Sequence, residues 1–224
     1  MGMASANVHC TNATDKQISY ANNSSLQNKV LLKTRPMLKD TIKDMLSKIF
    51  PVTCIKLADL GCASGPDAFL PTYEIMNTIT GICQQSHSES PELQVFLNDL
   101  SHNDFNTVFR SIPAFHARLL EDKRDLRGPC FITGIAGSFY QRLFPNKTIH
   151  FAHSSYCLHW LSKVPKGDLL AKSLLDLVDK GLVNESDVDS FNTPYYYPCE
   201  EEPKKIIKNE GSFVLDKIKT FKVN

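Results

Sequence analysis

Four short apolar runs, Ile55 to Leu60, Leu93 to Leu97, Pro129 to Ile135 and Thr148 to Ala152, constrain the fold of this chain more than any other feature. Each has the length of a buried strand, and the gaps between them are long enough to hold crossover helices. Ahead of them, residues 25 to 50 carry Leu26, Val30, Met37, Ile42, Met45, Leu46 and Ile49 at roughly helical spacing, with Pro51 as a stop. Strands alternating with helices imply βαβ units and a parallel sheet. The expected fold is therefore α/β, with ligands at the carboxyl ends of the strands.

Polar clusters fall at those ends: Asp59 to Gly65, Asn98-Asp99-Leu100, Gly137-Ser138-Phe139-Tyr140 and His153-Ser154-Ser155-Tyr156. In the first, Gly61 and Gly65 let backbone approach a ligand where a Cβ would collide, and a strand-to-helix turn aims free N–H groups at that ligand. This points to a nucleotide-type pocket. Asp99, ending the second run, is placed to accept hydrogen bonds from both hydroxyls of a ribose. An Asx turn or helix cap is the competing reading of Asn98-Asp99, and a cap is the better reading of Asp104.

Composition narrows the class. A chain of 224 residues, 42% hydrophobic and 22% charged, suits one soluble globular domain with a sizeable core. A net charge of +1 gives no electrostatic case for nucleic acid or membrane as partner. The run Glu200-Glu201-Glu202 lies between Pro198 and Pro203 and reads as a solvated turn. Seven scattered cysteines without C-x-x-C spacing argue against a disulfide framework and a zinc site, and for a reducing compartment. The first six residues lack the apolar core of a signal peptide, so a cytoplasmic location is expected.

Five long motifs then occur in order: Ser19 to Gln27, Asp59 to Pro66, Leu97 to Asn106, Gly137 to Pro145 and Ser154 to Ser162. Together they resemble the SABATH family of plant methyltransferases that use S-adenosylmethionine (SAM). Residues 190 to 192 and 211 to 223 resemble its later part. The resemblance implies a Rossmann-like methyltransferase domain over residues 19–224, preceded by a flexible N-terminus over residues 1–18.

Carried over position by position, it implies that Tyr20, Ser24, Asp59, Cys62, Asp99, Leu100, Ser138 and Phe139 surround SAM, with Asp99 on the ribose and Ser138 and Phe139 at the adenine end. Asp67 stands where the family usually has Asn, which places a negative charge at a cofactor position. Gln27, Tyr156, His159 and Trp160 match acceptor-holding, catalytic positions; a carboxylate would be gripped by Gln27 and the indole N–H of Trp160. The pair His159-Trp160 is the form more often seen in members that methylate acids such as benzoate or jasmonate. For Trp160 the plain alternative is core packing.

The chain departs from the family after Trp160. Pro165-Lys166-Gly167 joins almost directly to the helix-like Leu169 to Val178, so the resemblance leads us to expect a sheet without one central strand and most of the helical cap, and without the closing strand that the family has after the position of Asn224. Asp189, Phe191 through its carbonyl, and Asn192 match three ligands of a family Mg²⁺, whereas a fourth, an Asn, has no counterpart. The residues also read as a loop before Pro194. The functional expectation is methylation of the carboxylate of a small plant acid, with N-methylation of a xanthine-type acceptor as one alternative. A catalytically silent SAM-binding remnant, or a partner of a full-length relative, is the other; the family further implies a homodimer. No G-x-G-x-x-G follows the first run, which counts against an oxidoreductase.

Overall fold

The computed structural model describes residues 25–64, 66–121, 128–157, 175–184, 186, 199–211 and 214–221, the side chains of 25–28, 66–67 and 210 excepted. The chain divides into two compact units at Tyr156–Cys157. In the first, helix α1 (Ser25–Ile49) precedes strand β1 (Cys54–Leu60), then α2 (Leu70–Gln85), β2 (Glu92–Asp99), α3 (Phe105–Glu121), β3 (Cys130–Ala136) and β4 (Phe151–Ser154). The four strands form one parallel sheet in the order β3-β2-β1-β4, as the alternating pattern required.

One face of this sheet holds the core. Register sets Leu57 beside Val95 and Phe151, and Val95 beside Ile132. Ile55, Leu57, Val95 and Leu97 join Ile42 and Leu46 of α1, Ile75 and Ile79 of α2, and Val108 and Phe115 of α3 in a single apolar cluster. Helix α3 approaches β3 closely because Gly134 has no Cβ: one built there would lie 2.6 Å from the Phe109 ring. Phe69 stacks on Phe115 with centroids 4.7 Å apart, and an Arg35–Glu74 ion pair ties α1 to α2.

Three sequence expectations change in detail. The fourth run was read as starting at Thr148, but Lys147 turns the chain through a left-handed conformation and the first bond to β1 is His150 N–H to the Lys56 carbonyl, so pairing begins at Phe151. The gap before it holds no crossover helix. A loop braced by the Arg142 guanidinium, which donates to the Phe144 carbonyl and Asn146 Oδ1, fills it and lays Phe144 against Phe96. Nor is β3 buried on both sides, since Phe131 is 50% exposed on an edge strand with α3 on only one face.

The second unit includes a helix at Glu201–Glu210, ended by Gly211 in the left-handed conformation. Residues 214–221 form neither helix nor strand. Among the described residues no helix is long and apolar enough to cross a membrane, and no group of His, Cys, Asp and Glu could hold a metal ion.

Candidate functional site

Backbone hydrogen bonds that continue beyond the β1–β2 ladder build the turn after β1. Gly61 N–H and Cys62 N–H both donate to the Asn98 carbonyl at 2.9 Å. Gly61 and Ala63 take left-handed conformations, φ 79° and 58°. For glycine this costs little, but for alanine the Cβ opposes it. Gly65, read as the second permissive position, lies outside the described residues. Ala63 is the strained position that the motif hid.

Asp99 ends β2 and reaches back to that turn. Its Oδ2 accepts from Ala63 N–H at 2.7 Å and its Oδ1 from Leu100 N–H at 2.7 Å. The local bond to Leu100 N–H is the Asx-type contact that the competing reading expected, and each carboxylate oxygen keeps a lone pair for a further donor. Burial pushes its carboxyl above the ordinary value; the N–H groups of Leu100 and Ala63 oppose this, and the nearby charge of Asp59 adds to it. Asp104, by contrast, caps α3, with Oδ1 accepting from Thr107 N–H at 3.0 Å and Oδ2 from the Thr107 hydroxyl at 2.6 Å.

Asp59 is buried, and its Oδ1 accepts a hydrogen bond from Nδ1 of His153 on the adjacent strand at 2.7 Å. The two are Cα partners in the ladder. Sequence reading placed His153 in a polar cluster at a strand end without finding this partner, because strand order and register alone bring the residues together. Cys62 is buried with its thiol against the Ala63 carbonyl.

The turn after β3 is fastened to the same centre. Gly137 N–H donates to the Asp99 carbonyl at 2.8 Å, while Nδ2 of the fully buried Asn98 donates to the carbonyls of Ile135 and Gly137 at 2.8 and 2.9 Å. Half-buried Ser138 and Phe139 follow at once, Phe139 leaning on Tyr140 with centroids 4.9 Å apart. Asp59, Cys62, Asp99, Leu100, Ser138 and Phe139 thus gather at the carboxyl ends of β1, β2 and β3. Tyr156 sits two residues past β4, half-buried and left-handed at φ 57°. Tyr20, Ser24, His159, Trp160, Asp189, Phe191 and Asn192, together with the side chains of Gln27 and Asp67, lie outside the described residues. So does the N-terminal stretch 1–18.

Sequence reasoning did not find the roles of Asn98 and Asn103. Asn103 Nδ2 donates to the Ala63 carbonyl at 2.9 Å. Both amides are buried, and each leaves its Oδ1 without a hydrogen-bond partner among the described residues. The only sequence signal was their place beside Asp99 and Asp104.

A parallel sheet of this order, with two polar turns fastened to the end of β2, is a Rossmann-like α/β domain, a class that receives ligands at the carboxyl ends of its strands. The family model for SAM dependent carboxyl methyltransferases matches residues 6–168 and 167–224, and the chain belongs to that family. It is 39% identical to a probable methyltransferase of Theobroma cacao, over 99% of this chain and 80% of the relative. It is 35% identical to 3,7-dimethylxanthine N-methyltransferase 1 of Coffea arabica, over 95% and 74%. A solved loganic acid methyltransferase with S-adenosylhomocysteine (SAH) superposes with a TM-score of 0.73 at 26% identity, covering 92% of this chain and 77% of that one. The two pieces of the family match meet at residues 167–168, where the sequence placed the missing strand and cap, and the chain is partial relative to the family.

Proposed function

We propose that this chain transfers the methyl group of SAM to the carboxylate of a small plant acid of the salicylate, benzoate or jasmonate type. The observation that carries the cofactor half is the fastened turn of Gly61 to Ser64, with the Asp99 carboxylate at its edge. Asp99 would hold the ribose, the turn would accept close approach of the ligand, and Ser138 and Phe139 would border the adenine. When bound, SAM supplies an activated methyl group. A carboxylate with a pKa near ~4 is already ionised at neutral pH and needs no general base to accept it. What remains for the chain is placement, which contributes roughly 7 to 11 kcal/mol when a near-attack geometry is well held. Gln27 and Trp160 supply the donors for such an acceptor, and His159-Trp160 favours an acid over a xanthine nitrogen.

The gap at residues 167–168 favours a second reading, a remnant that binds cofactor without turnover. Incubation with labelled SAM and a panel of benzoate, salicylate, jasmonate and a dimethylxanthine separates the two. Methyl ester formation supports the proposal. An N-methylated xanthine moves the acceptor class, and SAH binding without any product establishes the remnant.

A further inference from the structure

Ala63 keeps its left-handed conformation because side chains from the end of β2 and the turn after it hold both of its backbone polar groups. Asp99 accepts from its N–H at 2.7 Å, and Asn103 Nδ2 donates to its carbonyl at 2.9 Å. Asn103 is itself set by backbone bonds: its N–H donates to the Leu100 carbonyl and its carbonyl accepts from Phe105 N–H, both at 2.9 Å. It is 6% exposed, and its Oδ1 has no partner among the described residues. A buried amide that satisfies one end and orphans the other carries a desolvation cost that stability alone does not explain. Backbone strain at a ligand turn persists only where surrounding groups over-determine it. Here the Asn98 carbonyl, Asp99 and Asn103 together do so.

We infer that Asn103 is a positioning residue for the cofactor turn: acting through Ala63, it holds Gly61 to Ser64 in the strained arrangement that receives the ligand. The inference rests on the reading of this turn as the SAM site. Its role is distinct from that of Asp104 next to it, which caps α3 and does not reach the turn's backbone in any bond described above.

Calorimetric titration of the full chain with SAH tests it, using the natural sequence, Asn103→Ala, Ala63→Gly and the double variant. Asn103→Ala weakens binding by about tenfold, the effect of losing one well-placed hydrogen bond. Glycine takes positive φ without strain, so in the Ala63→Gly background the same change costs less than about threefold. An equal loss in both backgrounds, or none, overturns the inference and leaves the cofactor reading standing. A natural chain that takes up no SAH overturns the cofactor reading instead. Hydrogen exchange at the Ala63 amide then still decides the clamp: faster exchange in Asn103→Ala at unchanged global protection supports it, and unchanged exchange sinks it. Where Asn103→Ala does not fold, Asn103→Ser takes its place with the same outcomes.

Discussion

The sheet end of the first unit and the described part of the chain from residue 175 onward are built on opposite terms. Around β1 and β2, Leu57, Val95 and Leu97 have no solvent exposure, and even polar Asn98 is fully enclosed. From residue 175 onward no described residue is buried, and Val214 is 87% exposed. Hydrophobic burial, which scales with the area removed from water, is therefore concentrated around the strands that carry the polar turns. The contrast teaches that the Asp59, Ala63 and Asp99 arrangement rests on a core the first unit supplies itself.

That contrast can be broken most directly in the core. Leu97→Ala empties a site with no solvent exposure and lowers stability by about 2 to 5 kcal/mol in denaturant titration; a loss below 1 kcal/mol would place the core elsewhere. Next, His153→Ala leaves the Asp59 carboxylate buried without its donor and costs about 1.5 to 3 kcal/mol, read in the same titration. His153→Asn, which keeps a side-chain donor, recovers part of it.

The pH response of SAH binding sharpens the comparison further. Burial raises the Asp99 carboxyl above its unfolded value, so its contribution to folding stability is full below the unfolded pKa and is lost as pH rises through the folded one. Ribose hydroxyls need the ionised form as acceptor, so affinity runs the opposite way. Calorimetry at falling pH should show SAH binding weaken at a higher pH than an unperturbed aspartate would give, while the free chain loses no stability from this group. Affinity that stays constant through the titration of an ordinary aspartate would remove Asp99 from the ribose. The smallest effect belongs to the exposed segment: Val214→Ser shifts stability by no more than about 0.5 kcal/mol. A larger loss would show that residues 214–221 pack more firmly than their exposure indicates.

Much of the first unit was legible before the structure. Period and length of the apolar runs located β1 and β2 to within a few residues, and Pro51 marked the end of α1. Those signals are local, because a buried strand must be apolar along its own length. The start of β4 was not legible, since Thr148 to His150 are as strand-compatible as Phe151 and only the left-handed Lys147 and the register against β1 exclude them. The loop at Arg142 to Pro145 likewise replaced an expected helix through Arg142 side-chain bonds, to the Phe144 carbonyl and to Asn146 Oδ1, that no period encodes.

The sequence by itself determined the α/β class, the parallel sheet and the family, and it put Asp59, Cys62, Asp99 and Ser138 at strand ends, because each apolar run and each motif is contiguous in the chain. Tertiary structure alone decided that Asp59 meets His153, that Asp99 and Asn103 hold the N–H and the carbonyl of Ala63, and that Asn98 fastens the turn after β3. Those contacts span residues far apart in the chain. They exist only once parallel pairing has set the ends of β1, β2, β3 and β4 in register, where buried polar groups must find partners among whatever neighbours the register provides.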